Sequence, residues 1–177
     1  MADKPKRAKI KGSAKFNRIL ADTMKYEGWN EKEGSYGGFM QNTYDDYRKS
    51  MDLPPRTVKE ITFGEARDIA KSNYWDHLKL DKLDNENVKR HIFDHTFQFG
   101  PDSTNGGKRA IMELQKMLGV KEDGILGPKT NKALNKYTET SGEEPLLSGL
   151  RALREPTYGG RTEWLSNQYL QPRQGVR

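Results

Sequence analysis

At 177 residues, with 33% hydrophobic and 32% charged residues and a net charge of +6, the chain can form one cored domain with a small appendage, but not a large apolar interior. It has no cysteine, which excludes dependence on disulfides, and no apolar run near the roughly 20 residues that a membrane-spanning helix needs. A mean hydropathy of -1.01 leaves much of the chain to solvated loops, tails or partner surfaces.

The first dozen residues set Lys4, Lys6, Arg7, Lys9 and Lys11 against Asp3, a basic arm that attracts polyanions such as wall polymer, anionic membrane or nucleic acid. The arm has the positive charge of a secretion signal without its apolar stretch, so no general secretion signal is expected. No aromatic platform or nucleic-acid motif accompanies the charges, and nucleic acid is not the expected partner. Ser13 then reads as a helix cap, with Phe16, Ile19, Leu20 and Met24 at helical spacing behind it.

Three residues further on, the same stripe reaches Glu27, and Gly28 follows as a C-terminal stop. Two readings of this carboxylate stay open. Burial raises a carboxyl's pKa and keeps it a proton donor near neutrality; alternatively, an arginine or backbone amides hold an ordinary, partly buried glutamate. Gly34, Gly37 and Gly38 predict a loop or short hairpin running back past Glu27 as one lip of a cleft. Residues 43–51 predict a short helix with Tyr44 and Tyr47 on one side, ended by Pro54-Pro55.

Thr62 with Glu65 is a capping box, and Phe63, Ala66, Ile69, Ala70 and Tyr74 extend it into a helix over 63–77. Val88, Ile92, Phe93 and Phe97 make a second stripe, and Ala110, Ile111, Leu114, Met117 and Leu118 a third. Gly119 ends that helix, Asp123-Gly124 signals a turn, and Gly127-Pro128 starts another helix with proline where its missing N–H costs nothing. After Tyr137 the composition reads as a linker. Beyond it, Leu146, Leu147, Leu150 and Leu153 fit one face of a short helix between Pro145 and Pro156, which docks on its own domain or on a partner. The final tail reads as extended.

Other constellations point to no cofactor and no metal. His91 and His95 lie four apart, a spacing that can bind zinc with His77 as a conceivable third ligand, but no carboxylate or cysteine completes the set. Residues 123–130 lack the alternating carboxylates of a calcium loop, and helix-start packing accounts for them better.

In this order and spacing, residues 16–138 resemble glycoside hydrolase family 108, N-acetylmuramidases with an N-terminal Glu-Gly-Gly-Tyr motif and a C-terminal predicted peptidoglycan-binding region. Glu27-Gly28 matches the family's essential glutamate, and Gly38-Phe39-Met40-Gln41 with Thr43 is similar to its Gly-Ile-Thr-Gln stretch. Residues 62–76 resemble its Leu-Thr-x-x-Glu-Ala helix ending in Tyr-Trp, and residues 94–100 its Asp-x-x-x-Asn-x-Gly. Leu114-Gln115 with residues 123–130 resembles its closing Leu-Gln and Asp-Gly-x-x-Gly-Pro-x-Thr. Trp29 replaces the second glycine of the motif, the loop from Glu27 to Gly38 is shorter than the family's, Met40 replaces a threonine and Gln98 an asparagine.

The resemblance implies a mainly α, lysozyme-like fold: a basic arm (1–12), a catalytic region (13–84), a helical peptidoglycan-binding-like region (85–139), and a linker, short helix and tail (140–177). It implies cleavage of the bond between N-acetylmuramic acid and N-acetylglucosamine in bacterial peptidoglycan. Glu27 would be the acid, Glu33 the water-activating base with Glu31 as its close rival, and Trp29, Tyr36 and Tyr44 the aromatic lining of the saccharide cleft. The expected setting is a phage product, released by host lysis or carried in the virion, with arm and tail contacting other phage structural proteins. The alternative is a structural or wall-binding component on the same scaffold that has lost catalysis.

Overall fold

The computed structural model describes residues 13–30, 34–102 and 106–158, with the side chains at 26, 27, 29, 30 and 155–158 set aside. The basic arm, the tail after 158, Glu31 and Glu33 lie outside the described residues. The chain forms two compact units, residues 1–79 and 80–177. The architecture is mainly α and lysozyme-like, with seven α-helices and one small sheet among the described residues.

The first unit opens with α1 (Ala14–Glu27), started by the Ser13 hydroxyl, which accepts from the Phe16 amide at 3.2 Å. Phe16, Ile19, Leu20 and Thr23 form its buried stripe. Phe16 meets Trp75 edge to face at 5.0 Å between ring centroids, so the Tyr74-Trp75-Asp76 segment anchors the start of α1 in the core. Burial of each such ring stabilises the unit by about 1.5–3 kcal/mol. Gly28, at φ 54, stops the helix in a conformation that favours glycine.

Strands β1 (Trp29–Asn30), β2 (Ser35–Tyr36) and β3 (Phe39–Met40) then form an antiparallel meander in sequence order. Tyr36 pairs with both Trp29 and Phe39, and the two-residue turn between β2 and β3 is Gly37-Gly38, at φ 56 and 83. Positive φ at both central positions is the requirement of a tight primed turn. The glycine-rich stretch is thus a three-stranded meander rather than an open loop.

β3 leads directly into α2 (Gln41–Ser50), and a 3₁₀ turn (Val58–Glu60) precedes α3 (Phe63–Ala70). The predicted capping box is present: the Thr62 hydroxyl accepts from the Glu65 amide at 3.2 Å, and Glu65 accepts from the Thr62 amide at 2.9 Å. Phe63, expected on the buried stripe, is instead exposed at the first helical position. α3 continues as a π-helical turn (Lys71–Asp76). Ideal helical spacing from Ala66, Ile69 and Ala70 would bury 73, 74 and 77. The wider turn accommodates one extra residue, and the buried positions become Trp75 and Leu78.

The second unit begins with a 3₁₀ turn (Leu80–Lys82) and is built around α4 (Glu86–Phe99), buried continuously from Arg90 to Phe97. The predicted apolar stripe is there, but Arg90, His91, Asp94, His95 and Thr96 are buried with it. Asn85 caps α4 through the Val88 amide at 2.9 Å, and Asn85 and Asn87 both donate to Glu143. Asp84 accepts from Asn131 at 2.6 Å and Asn135 at 3.0 Å, which ties the approach to α4 to α6 (Pro128–Ser141).

α5 (Gly107–Met117) presents Ala110, Ile111 and Leu114 to the core and holds the next turn through Gln115. The Gln115 amide donates to Asp123 at 2.9 Å and to the Ile125 carbonyl at 3.1 Å, while its oxygen accepts from the Gly124 amide at 2.9 Å. Thr130 Oγ1, at the start of α6, lies 3.3 Å from the same Gln115 nitrogen. The Gln115, Asp123-Gly124 and Thr130 positions of the motif are therefore one hydrogen-bonded fold element.

The segment read as a linker is helical to Ser141, where Gly142, at φ 80, ends α6 and gives its amide to the Thr138 carbonyl. Thr138 and Thr140 return their hydroxyls to carbonyls one turn back, so polar composition here does not mean an open chain. α7 (Glu144–Tyr158) buries Leu146, Leu147 and Leu150 within this unit. A Cβ at Gly149 would lie 2.3 Å from Met117 Cε, so glycine permits the close approach of α7 to α5.

Two substitutions test these anchors. Glu65→Ala, which leaves Arg48 without its carboxylate, is expected to destabilise the chain by about 3 kcal/mol, read by chemical denaturation. Burial alone would raise the Glu65 pKa, but its Thr62 and Tyr44 hydrogen bonds and Arg56 bring it below 4.5. The wild-type margin over Glu65→Ala is therefore full above that value and shrinks as pH falls through the lowered one. Gln115→Ala is expected to cost about 2 kcal/mol and to speed hydrogen exchange at the Gly124 amide.

Candidate active site

Position 27 is the last of α1, and the glycine after it is the attachment point of the meander. The Gly28 carbonyl accepts from the Gly37 amide at 2.6 Å, folding the β2–β3 turn back onto the end of α1. One turn before Glu27, Met24 fills the space beside Gly37: a Cβ there would lie 2.9 Å from Met24 Cε. The turn and the end of the helix are thus held together by one backbone hydrogen bond and one side-chain contact. The structure brings the glycine turn back onto the segment that carries Glu27.

The far side of the meander is fixed by Gln41. Its amide nitrogen donates to the Arg56 carbonyl at 2.9 Å and to Asp45 at 2.8 Å, and its oxygen accepts from the Val58 amide at 2.7 Å. Gln41 follows β3 directly, so this clamp locks the end of the meander to residues 56–58. Behind it lies a charged node. Arg48 donates to Glu65 at 2.7 Å and to the Tyr44 hydroxyl at 3.1 Å; Tyr44 donates to Glu65 at 3.0 Å; Arg56 pairs with Glu65 and donates to Tyr44.

Tyr44, expected to line the saccharide cleft, has a relative exposure of 0%. Its ring is core and its hydroxyl is committed to the Glu65 node, where Arg48 and Arg56 lie 5.5 and 5.7 Å from the ring centroid. It is corrected from a cleft residue to a scaffold residue. Tyr36 is exposed, at 37%, and the register places position 29 directly opposite it. Glu33 and Glu31 fall outside the described residues, so they are not placed beside Glu27 here.

A polar groove of about 360 Å³ runs between α2 and the π turn, lined by Thr43, Asp46, Tyr47, Ser50, Ile69, Ser72 and Asn73. It contains none of the predicted site residues. Tyr47 gives its hydroxyl to Asp68 at 3.4 Å, and burial, with Asp68 and Glu65 nearby, pushes its pKa up to about 12, so it remains a neutral hydrogen-bonding group. Sequence reasoning found the Thr62–Glu65 cap but missed the wider role of Glu65. The i,i+4 spacing of Tyr44 and Arg48 was the available signal.

No curated protein matches the chain. Among solved structures, SagA of Brucella abortus is similar over 86% of this chain and 85% of its own, with a TM-score of 0.59 and 25% sequence identity. A model of the glycosyl hydrolase 108 family matches residues 20–100, from the middle of α1 to the glycine that ends α4. That span holds Glu27, the glycine-turned meander, the Gln41 clamp and the Glu65 node, and over it the chain is similar to glycosyl hydrolase family 108.

Proposed function

We propose that the chain is an N-acetylmuramidase that hydrolyses the bond between N-acetylmuramic acid and N-acetylglucosamine in bacterial peptidoglycan, with Glu27 as the general acid. The observation that carries this reading is the placement of position 27 at the end of α1, against a meander folded onto that end, within a match to a glycosidase family. The end of a helix is the negative pole of its dipole, a setting that disfavours charge on a carboxylate and so favours a proton donor.

Glycosidic cleavage needs that proton on the leaving oxygen and a second group to attack or to activate water. Glu33 takes the second role, with Glu31 the alternative on the same loop. Trp29 and Tyr36 supply aromatic surface for the sugar rings, supported by their pairing across β1 and β2 and by the exposure of Tyr36. The reading extends to a phage product that opens host walls from the virion or at lysis; the basic arm at residues 1–12 suits attachment to an anionic wall or to other virion proteins.

The test is turbidity loss of purified cell walls. Glu27→Gln is expected to lower the rate by about 10²–10⁴-fold with unchanged folding; equal rates for the two proteins would remove the assignment, and wild type inert from pH 5 to 8 would favour a wall-binding scaffold. A second variant tests the lip. Gly37→Ala places a methyl on Met24 at a positive φ, and is expected to cost about 1–3 kcal/mol and to lower activity more than the loss of folded protein accounts for. Full specific activity in the folded fraction would show that the lip does not position the site.

A further inference from the structure

The polar groove between α2 and the π turn has no part in the proposed hydrolysis, and it lies wholly within the first unit. α2 gives it Thr43, Asp46, Tyr47 and Ser50, one face at helical spacing, and the π turn gives it Ser72 and Asn73. Single π turns of this kind recur at functional sites.

The lining hydroxyls have already committed their protons. Ser50 donates to the Tyr47 carbonyl at 2.7 Å, Ser72 to Asn73 Oδ1 at 2.8 Å, Tyr47 to Asp68 at 3.4 Å and Thr43 to Asn42 at 3.4 Å. What they still offer a ligand is lone pairs. Asp46 adds an exposed carboxylate that has no hydrogen bond or ion pair among the described residues. With its oxygen taken by Ser72, Asn73 has its NH₂ left to donate. The groove is a set of acceptors around one amide donor.

That pattern selects among ligands. No lysine, arginine or histidine lines the groove, and Arg48, Arg67 and Lys71 on the flanking elements are paired with Glu65, Asp68 and Asp76. A phosphate or carboxylate would meet Asp46 and oxygen lone pairs without a counter-charge. An ammonium on exposed Asp46 would gain little and leave the remaining acceptors unused. A sugar ring supplies a hydroxyl to each acceptor, its N-acetyl oxygen takes the Asn73 donor, and Tyr47 and Ile69 provide apolar surface for the ring and the methyl. About 360 Å³ lies at the low end of the roughly 300–1,000 Å³ of small-ligand sites, room for one or two sugar residues and not a strand.

We propose that this groove is a second saccharide site, which holds a neutral N-acetylhexosamine residue through Asp46 and Asn73 and shares no residue with the site assigned to cleavage. The polyol chemistry comes from the lining alone; the choice of an N-acetylhexosamine rests on the proposed glycan substrate. Such a site would keep the enzyme on a glycan between cuts.

The test is an amide NMR titration of the full chain carrying Glu27→Gln, with the tetramer of N-acetylglucosamine as the probe. Saturating shifts are expected at residues 43–50 and 69–73. Asp46→Ala and Asn73→Ala, both at exposed positions, are each expected to weaken that binding by about tenfold, and Lys49→Ala, outside the groove, to leave it unchanged. Shifts confined to residues 28–40, or groove shifts that survive both substitutions, would overturn the inference and leave the assignment of Glu27 standing. Groove shifts in a chain whose wild type is inert on cell walls would uphold the inference without that assignment. Larger groove shifts with lysine or inorganic phosphate than with the tetramer at equal concentration, or no groove shifts at all, would overturn it.

Discussion

The first unit depends on one carboxylate. Glu65 caps α3 through Thr62, accepts the Tyr44 hydroxyl and pairs with Arg48 of α2 and Arg56 of the following loop. Two cations, a phenol and a helix N-terminus converge on a side chain that is only 14% exposed. Removing a carboxylate from such a setting leaves its partners desolvated and unpaired, which is why a buried charge network makes a structure brittle as well as specific. α2 and the 56–58 loop are held by this node, and Gln41 transmits their position to β3. The meander that folds onto the end of α1 is the last part of that chain of contacts.

The proposed chemistry lies at the far end of the support rather than on it. The start of α1 is fixed by Phe16 against Trp75, and position 27 lies eleven residues along a helix that rises about 1.5 Å per residue, roughly 16 Å away. A helix pinned at one end and met at the other by a glycine turn fixes the backbone at position 27. The motif residues accordingly divide by role. Trp75, Gln115, Asp123 and Thr130 hold the fold, whereas position 27 and the meander carry the proposed chemistry.

Much of this was legible in the sequence because the signals were local. Ser13, the Thr62–Glu65 box, Gly28 and Gly127-Pro128 mark helix ends by chemistry that needs no tertiary context, and each mark lies where a helix begins or ends. What was not legible was long-range. Tyr44 sits near Glu27 in sequence and was read as cleft lining, yet its burial is decided by Glu65 and Arg56, twenty-one and twelve residues away. The π turn that moves Trp75 inward shifts the helical period by one, which a spacing rule cannot anticipate. The linker reading failed at residues 138–141 because threonine hydroxyls can satisfy carbonyls within a helix as well as in a loop.

The second unit shows the same contrast. Its apolar stripe on α4 was readable, but the burial of Arg90, His91, Asp94 and His95 beside it was not, since nothing in a helical period predicts that polar faces are also covered. The central claim, that this fold cleaves glycan strands between N-acetylmuramic acid and N-acetylglucosamine, is tested most directly by mass spectrometry of the fragments released from purified peptidoglycan. The account predicts soluble muropeptides ending in N-acetylmuramic acid. Intact glycan strands, or fragments whose reducing end is N-acetylglucosamine, would contradict it.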